Sequence, residues 1–117
     1  MKKIIASTVV LLSATISFNA LAESQIEAGK AAVAKFNCAS CHGADYNTPI
    51  DPAYPKLAGQ HKDYLEHALV AYRRGAGASN SRSNPIMGPL AKQLSDQDIK
   101  NIAAYLHSLP GTLVLRK

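Results

Sequence analysis

Five consecutive residues, Cys38-Ala39-Ser40-Cys41-His42, limit what this chain can fold around. C-x-x-C-H is the attachment pattern of a c-type haem. Two intervening residues bring both sulfurs within reach of one porphyrin edge, where each forms a thioether to a vinyl group. The adjacent His42 then turns a ring nitrogen to the iron as the proximal ligand. Cys38 and Cys41 are the only cysteines, so none is left over for a disulfide. Two other chemistries use such a pair. A redox dithiol wants a β-α-β setting, and little in this chain reads as strand. A structural zinc site wants four Cys or His ligands at paired spacings, and no second C-x-x-C and no H-x-x-x-H is present.

The N-terminus indicates where that chemistry takes place. Lys2 and Lys3 form a short positive region, Ile4 to Phe18 is an apolar run diluted by Ser and Thr, and Ala20-Leu21-Ala22 is an A-x-A cleavage pattern. Together they read as an export signal covering residues 1–22, with Glu23 as the first mature residue. The run is short for a membrane span, which needs about 20 apolar residues; an uncleaved anchor is the competing reading. Export fits the cysteine pair, because thioethers divert both sulfurs from the disulfide that an oxidising compartment favours. The expected localisation is the periplasm.

Removing 22 residues from 117 leaves 95, one small domain over residues 23–117. A chain this short buries a limited core and often needs a staple. A covalently held haem would supply one, together with a large flat apolar surface for helices. Without Lys2 and Lys3, the 13 basic residues fall to 11 against 8 acidic ones, a net charge of +3. Steering of partners would then come from a local patch, not from bulk charge.

Three helices are expected. Ser24-Gln25-Ile26-Glu27 reads as a capping box, followed by Ile26, Gly29, Val33 and Phe36 at helical spacing. Gly29 costs about 1 kcal/mol relative to Ala inside a helix, and its benefit would be close approach of another helix, with Ile102 and Tyr105 as partners. A second helix is expected over His61 to Arg74, with Tyr64, Leu65, Ala68, Leu69 and Tyr72 as its apolar stripe and Gly75 as its stop. The third is capped by Ser95 with Asp98 in an S-x-x-D box, presents Ile99, Ile102, Ala103 and Leu106, and ends at Pro110-Gly111. The Pro-rich stretch 43–60 and the Gly/Ser/Asn-rich stretch 75–88 are expected as loops around the porphyrin edges. No internal repeat or low-complexity region is present.

Met87 is the only methionine left once Met1 is removed. It falls in the second loop, able to reach the face of the ring opposite His42. Thioether sulfur favours ferrous iron, and Met/His ligation raises the reduction potential. The rival assignments are His61, His67 or His107 as sixth ligand, with Met87 a gap-filler.

In these stretches the chain resembles the class I c-type cytochromes, and more closely the bacterial cytochrome c4, c5 and c553-like group. The resemblance rests on Cys38 to Gly43, Tyr54 to Gln60 with Tyr64-Leu65, Met87, and Leu94 to Tyr105, and covers nearly all of the mature chain. Cytochrome c4 is similar to two such units in tandem; here there is one. The resemblance implies an all-α fold in which three main helices and loops wrap a single covalently bound haem c. It also implies that the carbonyl of Pro55, in Pro55-Lys56-Leu57, accepts the other ring N–H of His42. One departure is that the first helix carries Val33 where family members often carry an aromatic residue; the aromatic here is Phe36.

A haem gripped on both faces leaves no open position for a substrate. The expected role is therefore that of a one-electron carrier, not an enzyme, working between respiratory or dehydrogenase partners and docking on a membrane oxidase or reductase. Lys56, Lys62, Arg73, Arg74 and Arg82 form a candidate basic docking rim, and no nucleic-acid partner is indicated. Alternatives are a dedicated haem subunit of a periplasmic dehydrogenase and, with an open sixth site, a gas sensor or small peroxidase.

Overall fold

The structure is a computed structural model and describes residues 16–113. The positive region and most of the apolar run of the export pattern lie outside those residues. All regular structure among the described residues is helical: α1 (Ile16–Lys35), α2 (Ala39–His42), α3 (Lys62–Arg74), α4 (Met87–Lys92) and α5 (Asp96–Ser108). None of these helices is long and apolar enough to cross a membrane.

Helices α1 and α5 cross at Gly29. A Cβ at that position would lie 2.0 Å from the Asn101 carbonyl oxygen and 2.6 Å from the Tyr105 Cβ. Absence of a side chain therefore sets the helix separation. Tyr105 is a contact, as the spacing predicts; Ile102 is replaced at closest range by the backbone of Asn101. Around the crossing, Ala32 and Val33 of α1 meet Ile102, Ala103 and Leu106 of α5 in one buried cluster. Gly29→Ala gains about 1 kcal/mol of helix propensity but forces the helices apart, at ~3 kcal/mol for overpacking of this severity. The expected net loss of about 2 kcal/mol lowers the thermal midpoint by ~10 °C in a domain of this size, measurable by circular dichroism. An unchanged midpoint would show that the crossing is looser than described.

The start of α1 differs from the sequence expectation. Ser24 lies inside the helix, where its hydroxyl donates to the Leu21 carbonyl at 3.1 Å, so the Ser24/Glu27 capping box is not formed. Residues 16–23 are compatible with helix and simply extend it upstream. Helix α5 begins as predicted. Ser95 Oγ accepts from the Asp98 N–H at 3.0 Å, and Asp98 Oδ2 accepts from the Ser95 N–H at 2.9 Å. The Ser95 N–H and hydroxyl both donate to Asp98 Oδ2 and so hold the Asp98 carboxyl below its ordinary range.

The stretch 75–88 is not all loop. Met87 opens α4, with Pro89 in its first turn, where a missing N–H is tolerated. The cap comes from Asn84, two residues before the flanking Ile86, whose own side chain caps nothing. Asn84 Oδ1 accepts from the N–H groups of Ile86 and Met87, at 2.9 and 2.8 Å. Helix α4 packs on α3, and α3 in turn on α5.

The Pro-rich stretch 43–60 contributes a core residue of its own. Tyr46 is 5 % exposed. Its ring meets Tyr105 edge-on at 6.1 Å, and its carbonyl accepts from the N–H groups of both Leu57 and Ala58. That lattice holds Tyr46 at φ 55°, a left-handed conformation that costs a non-glycine residue about 1 kcal/mol.

Candidate haem-binding site

The motif Cys38 to His42 forms one tight turn between α1 and the Pro-rich stretch. The N–H groups of Cys41 and His42 both donate to the Cys38 carbonyl, which winds α2 and sets the two thiols on a single turn. Both cysteines are free and half-buried. Burial pushes the Cys38 thiol above its ordinary value; its own backbone hydrogen bond opposes this, and the neighbouring Cys41 adds to it. Gly43 follows at φ 87°, and a Cβ there would meet the Thr48 carbonyl oxygen at 2.2 Å. Only glycine lets the chain fold back so sharply straight after the histidine.

His42 is the one buried polar side chain among the described residues, at 7 % exposure. Its Nδ1–H donates to the Pro55 carbonyl at 2.9 Å. A carbonyl can only accept, so the proton is on Nδ1 and the Nε2 lone pair is free to coordinate. Tyr54 flanks the ring at 6.4 Å between centroids. Two thiols on one turn beside an imidazole of fixed tautomer form the donor set a covalently attached haem requires, and the residues present fit that group.

Met87 lies at the first residue of α4, half-buried. The competing histidines are placed elsewhere. His61 and His67 are exposed, one before α3 and one on it. The exposed His107 ring is bonded through Nδ1 to the Gln60 carbonyl at 2.7 Å, tying the end of α5 to the Pro-rich stretch.

Most of the basic residues proposed from sequence as a docking rim have partners within the molecule. Lys62 lies 3.9 Å from Glu66. Arg73 pairs with Asp96 and donates to the Leu94 carbonyl at 3.2 Å. Arg82 Nη2 donates to the Tyr64 hydroxyl at 3.2 Å, and its guanidinium sits 5.5 Å from the ring centroids of both Tyr64 and Tyr72. The exposed Lys56 donates through Nζ to the Thr112 hydroxyl at 3.4 Å, and Arg74 is exposed. The exposed apolar residues include Ile50 at 70 % and Ile86 at 52 %. Periodicity gave no sign of either, since both lie outside helices.

An all-helical domain with a C-x-x-C-H turn and a carbonyl-anchored histidine defines the class I c-type cytochromes, proteins that carry covalently attached haem c. The family profile described as cytochrome c matches residues 26–110, and the chain belongs to that family. It is 36 % identical over 117 residues to cytochrome c4 of Stutzerimonas stutzeri, a match covering 97 % of this chain and 53 % of that protein. It is 44 % identical over 71 residues to cytochrome c-554(548) of Halomonas halodenitrificans, covering 61 % of this chain and 82 % of that one. A third relative, at 41 % identity over 83 residues, is the thiosulfate dehydrogenase electron acceptor of Stutzerimonas stutzeri, with 71 % of this chain and 36 % of the relative covered. The chain thus spans about half of the cytochrome c4 and most of the c-554(548) it matches, and its place is in the c4 group.

Proposed function

We propose that the chain is an exported monohaem cytochrome c that carries single electrons between protein partners in the periplasm. In this reading residues 1–22 are removed and residues 23–117 form one domain. Cys38 and Cys41 would hold the haem through thioethers, and His42 and Met87 would ligate its iron. The haem would supply a one-electron ferric/ferrous couple. Pro55 fixes the orientation and basicity of the His42 ring through the Nδ1 bond. The observation that carries the reading is the buried His42 with Nδ1 committed to Pro55, on the same turn as two free thiols.

Docking in this reading depends little on the basic residues, since four of the five are engaged internally. It draws instead on Ile50, whose N–H is bonded to the Cys41 carbonyl at 3.1 Å, and on Ile86, the neighbour of Met87. Each places exposed apolar surface beside a haem-bearing residue. A small, weakly bound interface suits a carrier that must dock and leave quickly. The relative named as a thiosulfate dehydrogenase electron acceptor favours a second, narrower reading: a periplasmic dehydrogenase as the electron donor, with this chain as its dedicated acceptor.

Optical redox titration of the haem-loaded protein tests the carrier reading. One reversible one-electron wave is expected, and no reaction of the ferric protein with peroxide. Rapid peroxide turnover would instead indicate an open iron site and a peroxidase. Copurification with a catalytic subunit at fixed stoichiometry would favour the narrower reading over a free carrier.

A further inference from the structure

We propose that Arg82 is a positioning residue for Met87: clamped between Tyr64 and Tyr72 of α3, it fastens the chain ahead of α4 and thereby holds Met87 on the iron. This rests on Met87 being the sixth ligand.

The segment before Met87 has little else to hold it. Residues 76–80 are all exposed. A Cβ at Gly75 or Gly77 would meet nothing within 4 Å, so this part of the chain stands clear of the body. A cleft of about 270 Å³ separates it from α3, lined by Tyr64, His67 and Ala68 on one side and by Asn80, Ser81 and Arg82 on the other. Apart from the helical bonds of α4, Gly75 and Arg82 are, among the described residues, the members of segment 75–88 that hydrogen-bond outside it. Gly75 merely closes α3 by donating to the Ala71 carbonyl. Arg82 does more: its N–H donates to the same carbonyl at 3.0 Å, and its side chain bridges two tyrosines two turns apart on α3. A planar guanidinium suits this place, because it stacks on ring faces while its edge donates.

The link from Arg82 to Met87 is short and stiff. Asn84 Oδ1 accepts from the N–H groups of Ile86 and Met87, and the Asn84 carbonyl accepts from Gly88 at 3.0 Å. Next to Met87, Gly88 abuts α3 where a Cβ would lie 4.0 Å from the Tyr72 carbonyl oxygen. Tyr72 therefore borders both the clamp and the start of α4. Release of Arg82 frees the exposed segment to swing and carry Met87 with it.

The test uses the haem-loaded full chain. Carbon monoxide binds ferrous iron only after Met87 leaves, so its limiting rate at saturating carbon monoxide reports how fast Met87 dissociates. Loss of one charged hydrogen bond and two cation–π contacts predicts a rate roughly tenfold faster in Arg82→Ala. Arg82→Lys, which keeps a cation over the rings, is expected between the two. Far-ultraviolet helicity and the thermal midpoint should stay near the parent's, separating ligand release from general loosening. If Arg82→Ala does not accumulate, Tyr64→Leu with Tyr72→Leu removes the same clamp and is expected to give the same acceleration. An unchanged carbon monoxide rate in these variants, in a parent whose rate does rise in Met87→Ala, would overturn the clamp alone. A parent that binds carbon monoxide as fast as Met87→Ala would overturn the ligand assignment, and the clamp with it.

Discussion

Replacing both Cys38 and Cys41 by alanine is expected to yield a polypeptide with no covalently retained haem, and with much of its helical structure lost. The first result follows from chemistry: these are the only two thiols, and no other side chain forms a thioether to a vinyl group. The second follows from the core. Ala32, Ala58, Ala71, Ala91, Ala103 and Ala104 make up much of the buried apolar set, and Ile99 is the largest fully buried side chain. Phe36, Leu57, Leu69, Val70 and Leu109 pack on that core but are only partly buried. At ~25 cal/mol per Å² of apolar surface removed from water, side chains this small leave a domain of this size dependent on an additional apolar surface, which the haem supplies. Haem staining on a denaturing gel checks the first result and circular dichroism the second. Staining that survived the double substitution would place the attachment elsewhere.

Met87→Ala is expected to change the iron while sparing the fold. Asn84 caps α4 through backbone N–H groups that remain after the substitution, and alanine is the better helix former. What disappears is the thioether sulfur. The oxidised protein should lose the weak far-red absorbance band that marks sulfur bound to ferric iron. Its midpoint potential should fall by on the order of 100 mV, since ligand identity is a main lever on haem potential. The ferrous protein should then bind carbon monoxide readily. Absorbance spectra and an optical titration of parent and variant decide the matter. A variant with the parent's spectrum and potential would move the sixth ligand to one of the histidines.

Parts of this molecule are legible in its sequence. Helices α3 and α5 carry amphipathic spacing, a glycine stop or a capping box, and they fall at Lys62–Arg74 and Asp96–Ser108, within a residue of expectation. The close approach at Gly29 was legible because a glycine inside a helix needs a packing reason. Helix α4 was not, since Met87-Gly88-Pro89 opens with two poor helix formers and its cap, Asn84, stands outside the helix it caps. Nor was the burial of Tyr46, which follows from hydrogen bonds with Leu57 and Ala58 that no periodicity encodes. Tyr64 and Tyr72 were expected in an apolar stripe. Tyr64 is 48 % exposed, and both rings face Arg82 because the cation offers them a partner that the core, filled at Leu65 and Ala71, does not. For the site itself, the C-x-x-C-H turn is written in five adjacent residues. The distance from His42 to Pro55 is not, because it depends on how 43–55 folds back after Gly43.

The most direct test is the intact mass, under denaturing conditions, of the protein exported by a host competent to attach haem c. The expected value is that of the polypeptide from Glu23 to Lys117 plus one haem. A mass equal to the bare polypeptide would contradict the account at its root.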